Sequence, residues 1–274
     1  MLARTLDKFA RNINGDVFTR RKSVTITEFP QGVEVLVNEN HETCSDGEMY
    51  VEVQRAERGE GDREKNIARA ARRAKTQVRR RCKMIGADCM LTLTYRENMQ
   101  DVERLERDVK AFVKRLRDLG PFEYVLCIEP QKRGALHVHM ACQSFPAWMV
   151  NSDGVRVKSF NLIRSIWRRV VGRDNGNVDV TRPRGRNAAH RIASYIAKYV
   201  AKNVEDSELN AKRYWSSKGI PAPKVTRIWF DGSMPTVDML ELVMADFLGR
   251  GYSDFTHYQD RFNEFHWFAA SKPS

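Results

Sequence analysis

Hydrophobic and polar positions follow clear periods through the middle of the chain and weaker ones at its ends. MLTLTY (90–95) alternates with period two and predicts a strand. DVERLERDVKAFVKRLRDLG (101–120) repeats its apolar residues every three or four places, which predicts an amphipathic helix closed by a glycine. EYVLCIE (123–129) and ALHVHMA (135–141) read as strands joined by the tight connection QKRG, in which Gly134 is free to take a positive φ. SFNLIRSIWRRVVG (159–172) reads as a helix and NVDVT (177–181) as a short strand. NAAHRIASYIAKYVAKN (187–203) reads as a further helix with Asn187 as its candidate cap. The order defines the expected fold class: α+β, a ferredoxin-like antiparallel sheet (βαββαβ) with an appended tyrosine-bearing helix and helical additions.

Period two also sorts side chains by face. Leu91, Leu93, Leu126, Ile128, Leu136, Val138, Met140, Val178 and Val180 fall on one side, as a helix-covered core requires. The alternates Thr92, Thr94, Cys127, Glu129, His137, His139, Asp179 and Thr181 fall on the other, and so polar a set predicts a working surface. Outside this block the reading is thinner. Residues 1–61 form an N-terminal extension in which SVTITEF and VEVLVN flank Pro30-Gln31-Gly32 like a hairpin. Residues 62–203 hold the main domain. Residues 204–274 are expected to be a mostly helical extension packed on that domain, with a possible strand at VTRIWF and a helix near PTVDMLELVMADFLG.

Charge narrows the partner. Lys and Arg outnumber Asp and Glu by 47 to 35, a net charge of +12, so a polyanion is expected, nucleic acid ahead of a membrane surface. Residues 62–84, rich in Ala, Arg and Lys without Pro or Gly, predict a basic helix whose charges are either solvated or set against phosphates. Cys44, Cys82, Cys89, Cys127 and Cys142 lack CxxC spacing, which points to a reducing cytoplasm and away from a zinc knuckle. There is no apolar run of membrane-span length, no signal-peptide core at the start and no GxxxxGK[ST] loop. A cytoplasmic, soluble protein without its own NTPase is the expectation.

Two constellations carry candidate chemistry. His137 and His139, one residue apart on a strand, project from the same face about 7 Å apart at their Cα atoms. Glu129 on the preceding strand lies directly or diagonally opposite His137 on that face. Two imidazoles and a carboxylate with open positions suit Mg²⁺ or Mn²⁺ acting as a Lewis acid on a phosphate. The second group is Tyr195-Ile-Ala-Lys198-Tyr199, where helical spacing puts both phenols and the ammonium on one side. A phenol is mostly neutral at pH 7 and needs help to attack phosphorus, and Lys198 would stabilise phenolate or the charge developing on the phosphate. Either group alone also fits a bland role: a half-exposed pair on a strand, or a helix that buries two tyrosines.

MLTLTY, GALHVHM and YIAKY, in that order, resemble the three motifs of the HUH endonucleases that initiate rolling-circle replication. The pair of tyrosines is most similar to initiators of small single-stranded DNA phages and filamentous phages. The resemblance covers about residues 62 to 203. It implies that His137 and His139 are metal ligands with Glu129 as the third, that Tyr195 is the nucleophile and Tyr199 the second nucleophile, and that Lys198 is the motif lysine. Thr92 and Thr94 would contact DNA or support the metal site. The implied reaction is attack by a tyrosine on an origin phosphate, leaving a free 3′-OH and a 5′-phosphotyrosine, and later religation to close circles. The implied partners are single-stranded origin DNA held as a hairpin, a separate helicase and a host polymerase. The oligomeric state stays open.

Other basic residues are weaker candidates for DNA contact: Arg133 in the turn, Lys202 one turn beyond Lys198, and Arg182, Arg184 and Arg186 before the tyrosine helix. His190 lies off the tyrosine face and reads as structural. A transposase or relaxase would use the same chemistry, but relaxases usually place the tyrosine before the histidines and carry a third histidine where this chain has Ala141. A non-catalytic basic DNA-binding regulator is the rival from another class.

Overall fold

The computed structural model describes residues 19–44, 63–183, 188–202, 214–260 and 265–272, so Asn187, Arg184 and Arg186 lie outside the described residues. The protein has the mixed α+β architecture expected and divides into two compact units, residues 57–222 and residues 1–56 with 223–274.

In the unit of residues 57–222, a basic helix α1 (Arg63–Met84) leads into strand β3 (Cys89–Tyr95), helix α2 (Val102–Arg117), strands β4 (Tyr124–Pro130) and β5 (Leu136–Cys142), a small hairpin β6–β7 (Trp148–Val150 and Arg156–Lys158), helix α3 (Ser159–Val171), strand β8 (Gly176–Thr181) and helix α4 (Ala188–Lys202). A two-residue strand β9 (Trp215–Ser216) follows. The five-stranded sheet runs β8-β3-β5-β4-β9, with antiparallel neighbours throughout. Local chemistry sets the ends of its elements. Asp101 caps α2, its carboxylate accepting from the Arg104 N–H at 2.9 Å. Gly134 takes φ 86° in the β4–β5 turn, as that tight reversal requires.

Each face of this sheet carries its own helices. Leu91, Leu93, Leu126, Val138, Met140 and Val178 pack under α2 and α3 against Leu105, Phe112, Ile163 and Trp167. Trp167 is fully buried, donates its indole N–H to the Thr94 carbonyl at 3.0 Å and meets Tyr95 and Phe112 edge-on. The other face is divided along its strands. Its apolar end, Met90, Val125, Cys127 and Ala141, seats α4 through Ile192, Ala193, Ile196, Ala197 and Val200, together with Val78 and Cys82 of α1. Its polar end holds Thr92, Thr94, Glu129, His137 and His139. The polar surface is thus smaller than expected: Cys127 is 1% exposed beneath α4. The basic helix α1, for its part, turns an Ala-Val-Cys stripe inward and leaves most of its arginines outward.

The other unit is a second five-stranded sheet, order β10-β1-β2-β12-β11. It pairs β1 (Thr19–Phe29) and β2 (Gly32–Cys44), the hairpin about Pro30-Gln31, with β10 (Lys224–Asp231), β11 (Ser253–Asp260) and β12 (Phe265–Ser271). Helix α5 (Thr236–Gly249) buries Met239, Val243 and Phe247 against Val24, Val35, Val37 and Phe230. This corrects the expectation of a mostly helical C-terminal extension: the segment supplies one helix and three strands to the unit containing the N-terminal hairpin. Two of those strands, SDFTHYQD and FHWFAAS, escape prediction because they mix aromatic and polar residues on both faces. The pairing of β12 with β2 and of β11 with β12, not their own periodicity, makes them strands.

Candidate active site

The sheet register assembles the site. Asp179, Thr92, His139 and Cys127 form one row across β8, β3, β5 and β4, and Glu129 faces His137 directly in the next row. Glu129 therefore meets His139 along the diagonal, its Oε2 lying 2.8 Å from His139 Nε2. Both side chains are largely withdrawn from water, at 14% and 7% exposed. The second nitrogen of His139 has a partner too, and so has one nitrogen of His137. Thr92 Oγ1 lies 3.3 Å from His139 Nδ1, and Gln131 Nε2 lies 3.1 Å from His137 Nδ1. Burial, the neighbouring His139 and Arg133 hold the His137 pKa below the usual histidine value, with Glu129 and Asp179 pulling the other way. Among the described residues, no three of His, Cys, Asp or Glu stand together as a group able to hold an ion. The contact present is the Glu129–His139 pair, with His137 beside it.

Helix α4 brings the phenols to this end of the sheet. Seated by Ile192, Ile196 and Val200, it points residues 195 and 199 across the histidine strand. The Tyr199 ring stacks on the His139 ring, with centroids 4.2 Å apart and planes at 14°. Tyr195 stands edge-on to the same imidazole at 6.4 Å and to Tyr199 at 5.0 Å. The Tyr199 hydroxyl donates to the Tyr195 hydroxyl at 2.5 Å. The two phenols are not equivalent: Tyr195 is 44% exposed, whereas Tyr199 is partly covered. Burial first, and then the hydrogen bond to Tyr195, push the Tyr199 hydroxyl well above the usual tyrosine pKa.

The remaining candidates are dispersed. Lys198 is exposed and makes no hydrogen bond or ion pair with the described residues. Thr94 Oγ1 reaches only the Asn177 carbonyl at 3.5 Å. Arg133 is exposed at the β4–β5 turn, near enough to His137 to disfavour its protonation. Arg182 is held at the opposite end of the sheet, where its guanidinium donates to the Phe145 carbonyl at 3.1 Å beside Cys89. The structure does not bring it to the tyrosines. The Lys202 side chain lies outside the description. His190, read as structural, has Nε2 3.4 Å from Ser194 Oγ. Sequence reasoning missed Gln131, although it sits two residues beyond Glu129, the strand spacing that keeps side chains on one face.

Residues 88–204 match the model of a family described as Replication-associated protein, of the ORF2 kind. That segment contains β3 through α4, hence every residue of the site. The likeness supports a role in replication initiation and, with it, interaction with DNA. Comparison with curated proteins and with solved structures finds no match. None of the described helices is long and apolar enough to cross a membrane.

Proposed function

We propose that the protein is a replication initiator that nicks single-stranded origin DNA by tyrosine attack, leaving a 5′-phosphotyrosine on the enzyme and a free 3′-OH, and later reverses the exchange to close circles. The observation that carries this reading is the stack of Tyr199 on His139, with the Tyr195 hydroxyl hydrogen-bonded at its edge. Nucleophile and phosphate-activating groups must converge within a few ångströms for in-line displacement, and these three rings converge.

The phenols divide the labour. Tyr195 is the exposed hydroxyl and accepts the proton of Tyr199, so the Tyr199 O–H points at the oxygen on which negative charge builds as Tyr195 is deprotonated. A hydrogen bond donated into a developing anion is one of the stronger kinds. Tyr199, whose own proton is held tightly, serves first as donor and attacks second, once Tyr195 is esterified and the hydrogen bond between them is spent. Tyr195 Oη forms the bond to phosphorus while the bond to the 3′ oxygen breaks, so one phosphodiester replaces another and no nucleotide hydrolysis is needed. Lys198, exposed on the same helix, is placed to meet a phosphate oxygen from solvent.

His139, Glu129 and His137 are the residues to hold a divalent cation, Mg²⁺ or Mn²⁺. Two ligand atoms each about 2.1 Å from one ion and at right angles to each other stand about 3 Å apart. The 2.8 Å between His139 Nε2 and Glu129 Oε2 fits that spacing. The Nδ1 atoms are already engaged by Thr92 and Gln131, whose hydroxyl and amide can each accept an N–H as well as donate, so either ring can present Nε2 as a lone pair. Such an ion would supply Lewis-acid polarisation of the scissile phosphate. Incubation with single-stranded circular origin DNA and Mn²⁺, followed by a denaturing gel, tests the proposal. A labelled protein–DNA adduct is expected; an intact circle with no adduct would favour a DNA-binding regulator.

A further inference from the structure

Away from the tyrosines, a groove of about 660 Å³ runs along the solvent side of α3, walled by Arg164, Arg168, Arg169 and Arg173. The helix has two faces by sequence: Leu162, Ile163, Ile166 and Trp167 enter the core, and the intervening places carry the arginines. It has no acidic residue. None of the four guanidiniums forms an ion pair among the described residues, and their one hydrogen bond to protein runs from Arg168 Nε to the Gly176 carbonyl at 3.0 Å. Arg164 Nε is buried with no partner. Four cations crowded into one groove, without a carboxylate between them, form a site for a polyanion.

Aromatic side chains continue this face toward the hairpin. Phe160 is 37% exposed, with the Arg164 guanidinium 4.1 Å from its ring centre. Trp148 is 46% exposed, flanked by Arg156 at 5.3 Å and by Lys158, its cross-strand partner, at 5.9 Å. Lys158 directly precedes α3, so the Trp, the Phe and the arginines follow one another along a single run of chain. Flat apolar rings alternating with cations match unpaired bases linked by phosphates, because every base offers a face for stacking and every linkage offers a charge. A duplex hides its base faces and would leave both rings unused.

We infer that α3 and the β6–β7 hairpin form a second single-stranded DNA site, separate from the tyrosine site. The arginines would take backbone phosphates, and Trp148 and Phe160 would stack on bases. Because α3 packs on the sheet face opposite α4, DNA held here is a different stretch from that at Tyr195. The inference rests on the replication reading only for the choice of DNA as the polyanion.

The test is binding of the full chain to a 20-nucleotide oligothymidine, which has no origin sequence and needs no cleavage, followed by fluorescence anisotropy over a salt series. Replacing Arg164, Arg168, Arg169 and Arg173 by Gln is expected to flatten the slope of log K against log salt by about 2 to 3, at about 0.7 for each phosphate no longer neutralised. Trp148→Ala is expected to weaken binding about tenfold, as losing one stacked base would. Equal charge removal from the neighbouring helix α2, at Arg107, Lys110, Lys114 and Arg115, is expected to change the slope far less. Wild-type slope in the fourfold variant, an equal effect from the α2 set, or equal binding of a 20-base-pair duplex would each overturn the inference. If the fourfold variant unfolds at a lower temperature, the exposed pair Arg169→Gln/Arg173→Gln carries the same test at about half the slope change. Adduct formation at Tyr195, assayed on short origin DNA, separates failure here from failure of the nicking proposal.

Discussion

At the scale of single residues, the site depends on groups that do not themselves react. Thr92 touches no phenol, yet its hydroxyl engages Nδ1 of His139 and so fixes the ring on which Tyr199 stacks. Losing a partner of this kind usually costs tenfold to a hundredfold in metal affinity or activity. Thr92→Val should therefore raise the Mn²⁺ concentration needed for half-maximal adduct formation by about tenfold or more, measured by metal titration; an unchanged midpoint would show the hydroxyl to be idle. His137 offers a test that needs no DNA. Burial, His139 and Arg133 favour its neutral form more than Glu129 and Asp179 favour its cation, so its midpoint in metal-free protein should fall below the ordinary 6.5. The sign for stability follows from this depression: above about 6.5 nothing is lost. Below it, the unfolded chain binds a proton that the folded chain refuses, and stability declines as pH falls toward the folded midpoint. NMR titration of the His137 ring reads this directly, and a midpoint at or above 6.5 would contradict the environment described.

At the scale of elements, strands β3, β4, β5 and β8 were legible to within a residue or two, because period two stands out where one face meets helices and the other carries chemistry. The HxH and YxxKY spacings likewise placed the imidazoles and phenols on shared faces before any coordinates. Illegible was the division of the polar face into an apolar seat and a polar end. Met90, Val125 and Ala141 share a face with Thr92, Glu129 and His139, and only the docking of Ile192 and Ile196 shows what they are for. Gly176 was also silent in the sequence. A Cβ there would come within 2.7 Å of Val171 Cγ2 and 2.8 Å of Trp167 Cδ1, so α3 can approach β8 only over a glycine. Gly176→Ala should cost about 1–3 kcal/mol by overpacking, read as a lowered urea midpoint at constant slope; an unchanged midpoint would mean that Trp167 yields freely.

At the scale of the molecule, the chain's ends show where local reading stops. The hairpin about Pro30-Gln31 was visible because turn chemistry is local, but β2 also pairs with β12, more than two hundred residues away, and no window along the chain records that pairing. Gly32 marks the junction: a Cβ on it would collide with the Ala270 carbonyl oxygen. The basic balance pointed to a polyanion, and the likeness of residues 88–204 to replication-associated proteins agrees. Sequence charge could not separate the solvated arginines from the groove along α3, since that difference lies in what surrounds each guanidinium. The account as a whole turns on one step, the transfer of a DNA phosphate to a phenol. It is tested most directly by the Tyr195→Phe/Tyr199→Phe double variant, which keeps both rings and the stack on His139 while removing both hydroxyls. With single-stranded origin DNA and Mn²⁺, the double variant should bind DNA and form no covalent adduct, Tyr195→Phe alone being more damaging than Tyr199→Phe alone. Adduct formation by the double variant at the wild-type level would contradict the account.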